Sequence, residues 1–140
     1  MLFRNKTTNK VDEDYKLNHT KAIVTISTIE GYHPGEDVSG IELNKFCEIL
    51  QHIEENKFAD SSISWLVRTG KTVYKQEWGC PFAGEDVFIL EADYTEYDKG
   101  TDIHEWKHNV FVHVDYLKEL FKQETVRVTF INGVETTIVR

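Results

Sequence analysis

The chain has 140 residues, 40% of them hydrophobic and 12% aromatic, which is the length of one domain and too apolar for an intrinsically disordered protein. No apolar run approaches the ~18 residues of a membrane span, and the opening Met-Leu-Phe-Arg-Asn-Lys lacks the apolar core of a signal peptide, so a soluble cytoplasmic protein is expected. Most of the acidity behind the net charge of −8 lies in residues 30–106, with six basic and seventeen acidic side chains; this disfavours nucleic acid and suits solubility or a basic protein partner.

Residues 1–19 mix Asn, Thr, Lys and Asp with few apolar anchors and read as a mobile arm, with room for a short edge strand near Tyr15 and Leu17. A single domain is expected over 20–140. The β-branched run from Lys21 to Ile29 reads as a strand, and Gly31 to Gly40 as a loop punctuated by Pro34-Gly35. Ser39 and Glu42 have the spacing of a capping box for a helix that runs to about Lys57. Its residues Leu43, Phe46, Cys47, Leu50 and Ile53 form one apolar stripe.

Alternation of Ile63, Trp65 and Val67 into Thr69-Gly70 predicts a β-hairpin that sets Trp65 beside Tyr74. A further strand is expected from Val87 to Tyr94, and a polar loop from Thr95 to Asp102. Residues 103–121 carry two signals. Ile103, Trp106, Val110, Val114, Leu117 and Phe121 fit one face of a long helix, whereas Val110–Val114 is rich in β-branched residues; the preferred reading is a strand at 109–114 and a short helix from Asp115 to about Gln123. Asn132-Gly133 between two β-rich runs predicts a C-terminal hairpin. The expected fold class is α+β: a mostly antiparallel sheet with one long and one short helix packed on it.

Two stretches carry candidate chemistry. His104-Glu105-Trp106-Lys107-His108 matches H-E-x-x-H, in which two histidines one helical turn apart hold zinc and Glu105 serves as general base. Against it, a helical reading turns His104 and His108 away from the apolar stripe, a strand reading removes the one-turn geometry, and no third ligand follows at a recognisable spacing. The stronger candidate is the ten-residue connection from Glu77 to Asp86, with Trp78, Cys80, Phe82, Glu85 and Asp86 as binding residues, because long connections on a rigid sheet carry binding groups. Cys80 has no base nearby to make it a nucleophile, and both it and Cys47 are expected as free thiols, Cys47 buried and Cys80 accessible. There is no Gly-rich phosphate loop, and no family is recognised. The reading is therefore a small acidic cytoplasmic binding module, an inhibitor or immunity-type protein without cofactor that acts by protein–protein interaction, with homo-oligomerisation left open. The alternative is a small zinc-dependent hydrolase using His104, Glu105 and His108.

Overall fold

The computed structural model describes residues 15–29, 40–94 and 101–138. Four strands, β1 (Tyr15–Ser27), β2 (Leu66–Thr72), β3 (Glu85–Tyr94) and β4 (Arg127–Ile138), form one antiparallel sheet in the order β2-β3-β1-β4. Two helices, α1 (Leu43–His52) and α2 (Ile103–Leu120), cover one face, so the α+β class with an antiparallel sheet holds. The period-two alternation of strands explains the layering: Ala22, Val24 and Ile26 of β1 and Phe88, Leu90 and Ala92 of β3 all enter one core. Phe46 of α1 stacks on Phe88 with ring centroids 4.2 Å apart. On the opposite face of the sheet, Lys21 lies 3.4 Å from Glu91 and 3.0 Å from Asp93, and Arg68 pairs with Glu91.

Residues 1–14 of the expected arm lie outside the described residues, but Tyr15 to His19 belong to β1 and pair with β4. Ser39 of the expected capping box also lies outside them. Glu42 is the N-cap of α1 and makes no side-chain capping bond. After His52 the helix widens into a π turn, Ile53–Lys57, and so ends where expected.

The hairpin expected at Thr69-Gly70 is not formed. Both residues lie inside β2, opposite Phe88 and Val87, and the connection that reverses the chain is residues 73–84, between β2 and β3. Gly70 serves close packing instead of turning, since a β-carbon there would lie 3.1 Å from Cδ1 of Ile89. Trp65 and Tyr74 consequently do not pair; Trp65 Nε1 donates to Glu54 and the Tyr74 hydroxyl to Glu85.

The strand preferred at 109–114 is helix. Asp102 caps it, its Oδ1 accepting from the Glu105 amide at 2.8 Å. Trp106, Val110, Val114 and Leu117 are all buried against the sheet. The poorer helix propensity of valine costs at most ~0.7 kcal/mol per residue, whereas each buried large side chain contributes ~1.5–3 kcal/mol, so packing decides. Both runs flanking Asn132-Gly133 are strand as expected, and both pair with β1. The two residues sit at a bulge where the register shifts between His19 and Lys21, and Gly133 takes up the positive φ of 75°.

A buried polar knot ties the layers together. The Glu54 carboxylate accepts from the Ile63 amide at 2.7 Å and from Trp65 Nε1 at 3.1 Å, and lies 2.7 Å from Nδ1 of His113. His113 in turn stacks on Phe58, with centroids 3.8 Å apart.

Candidate active site

The larger cleft, about 650 Å³, opens where the end of β1 meets the β2–β3 connection and the α2–β4 link. Thr25 and Ser27 form its floor. One wall carries Tyr74, Trp78 and Glu85, and the other Lys122, Glu124 and Arg127. The Tyr74 hydroxyl donates to Oε1 of Glu85 at 3.1 Å. Desolvation, and after it the hydrogen bond to Glu85, push the Tyr74 phenol up to about 12, so it stays a donor throughout the neutral range.

The second wall is fixed by Gln123, whose Nε2 donates to the carbonyls of Ile29 and Phe121, each at 3.0 Å. Among the described residues the two non-glycine positions with positive φ are Lys122, in the cleft wall, and Ala83, in the connection that forms the other wall. Backbone strain of this kind costs ~1–3 kcal/mol and gathers at working sites.

The expected binding residues separate. Trp78, 65% exposed, and Glu85, half-buried, both line the cleft. Phe82 is exposed on the same connection but does not line it, and Asp86 is ion-paired with Lys71 at 2.8 Å. Cys80 is only 1% exposed, its thiol directed at the Thr72 carbonyl at 3.7 Å, while Cys47 is partly accessible. Both thiols are free, but the expected order of accessibility is reversed, because the connection folds Cys80 inward. Sequence reasoning missed Tyr74 and Lys122, and it weighed Arg127 as a pocket residue but favoured a solvated surface role. The only signal for Tyr74 was its nearness to the long connection, and Lys122 comes from a part of the chain read as a helix end.

His104 and His108 are exposed on α2, one turn apart. Glu105 borders a second, smaller polar cleft of about 470 Å³, together with Ser62, Asp93 and Asn109. Among the described residues no group of three or more His, Cys, Asp or Glu side chains is arranged to hold a metal ion, and no helix is long and apolar enough to cross a membrane.

A polar cleft with charges of both signs and a hydrogen-bonded tyrosine–glutamate pair thus lies at the end of a two-layer α+β sheet. The sequence model of the SAM lyase family matches residues 17–138, and the chain belongs to that family. A phage SAM lyase in the apo state has the same fold, with a TM-score of 0.51 at 14% identity, over 88% of this chain and 90% of that one. A phage SAM lyase in complex with S-methyl-5'-thioadenosine is similar at 15% identity over 88% and 91% of the two chains, with a TM-score of 0.48. No curated protein matches the sequence. Membership of a lyase family overturns both functional expectations, the inhibitor or immunity-type binding module and the zinc hydrolase built on His104, Glu105 and His108.

Proposed function

We propose that the protein cleaves S-adenosylmethionine in the cleft between Tyr74, Glu85 and Arg127. The observation that carries the reading is the Tyr74–Glu85 pair inside the larger cleft of a chain matched by the SAM lyase family over residues 17–138. The substrate is a sulfonium cation with an amino-acid tail. Glu85 and Glu124 suit its ammonium group, and Arg127 and Lys122 its carboxylate. The acidic middle of the chain, first read as suited to a basic protein, suits a cationic small molecule equally well. Such a charged substrate does not diffuse through lipid, which keeps the cytoplasm as the proposed compartment.

A lyase breaks the bond without water or an oxidant. Of the three carbons on sulfur, only Cγ of the amino-acid tail has an internal nucleophile within reach of a five-membered ring, the substrate's own carboxylate. Its oxygen bonds to Cγ, the C–S pair moves to sulfur, and the products are homoserine lactone and the neutral thioether S-methyl-5'-thioadenosine. The rival route, removal of a Cβ proton, would leave an alkene. Glu124 is exposed and hydrated, and the half-buried Glu85 already accepts from the Tyr74 hydroxyl, so neither carboxylate is set up to take a proton from an unactivated carbon. Ring closure needs only the folded substrate conformation, for which effective molarities reach ~10⁵–10⁸ M. Tyr74 and Glu85 thus act by holding the tail so that carboxylate and Cγ meet.

Incubation of the purified protein with S-adenosylmethionine should yield S-methyl-5'-thioadenosine and the lactone. The alkene has the same mass as the lactone, so proton NMR must separate them, and vinyl resonances would rule out ring closure. Glu85→Gln and Tyr74→Phe should each lower kcat/KM by about 10²-fold, the effect of a reactant misplaced by an ångström, in variants that remain folded by circular dichroism. Wild-type protein that leaves the substrate intact would refute the proposal.

A further inference from the structure

Trp78 stands on a short 3₁₀ turn, Gln76–Trp78, whose backbone is held by bonds from Trp78 N and Gly79 N to the carbonyls of Lys75 and Gln76 at 3.0 and 2.9 Å. The indole extends from this support with most of its surface exposed, on the same cleft wall as Tyr74 and Glu85. A cation already lies over it: Nζ of Lys75 is 4.9 Å from the ring centroid. That lysine side chain is 64% exposed and pairs with Glu77 at 3.7 Å, a surface ion pair that contributes little.

From this geometry, and resting on the reading of the cleft given above, we infer that the part of the Trp78 ring that lines the cleft recognises the sulfonium group, the contact of Lys75 showing that this indole accepts a cation. A sulfonium carries its charge on sulfur with three carbon substituents, has no N–H to donate, and is weakly hydrated. An ammonium group is strongly hydrated and gives up more solvent to reach a ring. Aromatic faces favour the former class of cation, as in recognition of quaternary ammonium groups.

The inference has a kinetic signature. Cleavage turns the sulfonium into a neutral thioether, so a cation–π contact is strongest in the ground state and fades as the C–S bond breaks. Such a contact lowers KM without raising kcat, and it does not retain the product. Trp78 is then a specificity-determining residue that separates the charged substrate from uncharged thioethers carrying the same adenosine.

The test compares S-adenosylmethionine with S-adenosylhomocysteine, which has the same tail and nucleoside but neutral sulfur. Trp78→Leu should raise KM for the sulfonium by about 10-fold, within the range for a partly desolvated cation–π contact, and leave kcat unchanged or higher. The inhibition constant of S-adenosylhomocysteine should move by less than about 3-fold. Trp78→Phe should recover most of the loss. Equal weakening of both ligands would place the ring on adenine and overturn the inference, as would an unchanged KM for Trp78→Leu. Turnover by the wild type tests the lyase reading separately. If turnover is absent, equilibrium titration of the same proteins with both ligands decides the matter: loss of preference for the sulfonium in Trp78→Leu supports the inference, and no preference in the parent refutes it.

Discussion

Tyr74 and Glu54 each hold a carboxylate or a donor in a fixed place, and each has a measurable cost of removal. The Tyr74 phenol, ordinarily near 10.0, rises to about 12 in the fold, so the folded state favours its neutral form. Its contribution to stability is complete below pH 10 and is lost as the pH rises toward about 12. Lys21, raised above 10.5 by its hydrogen bond to Asp93, acts in the same direction nearby, so the difference between wild type and Tyr74→Phe in alkaline denaturation isolates the tyrosine. Glu54→Ala removes one acceptor from three partners, buried Ile63 N and His113 and half-buried Trp65 Nε1, and should destabilise by about 3–5 kcal/mol in urea melts. A thiol reagent should label Cys47 in the native protein and Cys80 only after unfolding. Trp78 and Glu85 were legible from the sequence because a long connection with an exposed aromatic is an unusual expense for a small sheet. Glu54 was not, because a glutamate on an amphipathic helix ordinarily marks the solvent side, whereas this one, four residues after Leu50, continues the buried face.

At the level of elements, errors in reading the sequence arose where local preference and packing disagree. Val110 to Val114 favour a strand by propensity, yet residues 103–120 bury a helical stripe, and the sum of that burial exceeds the propensity cost. The α1 face carried no such conflict and was legible: Phe46→Ala and Leu50→Ala should each cost about 2–5 kcal/mol, read as a lowered midpoint in denaturant. Thr69-Gly70 and Asn132-Gly133 both look like turns because glycine tolerates positive φ, but glycine also permits close approach, and sequence does not distinguish the two uses. The distinction is testable. A β-carbon at Gly133 would meet nothing within 4 Å, so Gly133→Ala should lose only conformational energy, about 1–2 kcal/mol.

Across the whole molecule, the cleft is assembled from segments far apart in the chain, which is why no contiguous motif announced it. Its charges invite a long-range effect as well: the acidic middle of the chain should draw in a cationic substrate, so kcat/KM should fall as ionic strength rises and screening shortens the field's reach. A stopped-flow or initial-rate series in sodium chloride would show this, and a flat profile would confine recognition to contacts inside the cleft. The position of β1 has a consequence during synthesis. It lies between β3 and β4, and the residues it pairs with in β4 are more than a hundred positions later. As the chain leaves the ribosome, β1 therefore has one bonded flank and one raw edge until β4 is made, and the wall bearing Lys122 and Arg127 is missing for the same interval. At ~5–20 residues per second this lasts for seconds. The nascent protein thus lacks one wall of the cleft and is open to edge-on pairing with its neighbours on a polysome, and the docking of one late strand ends both conditions together.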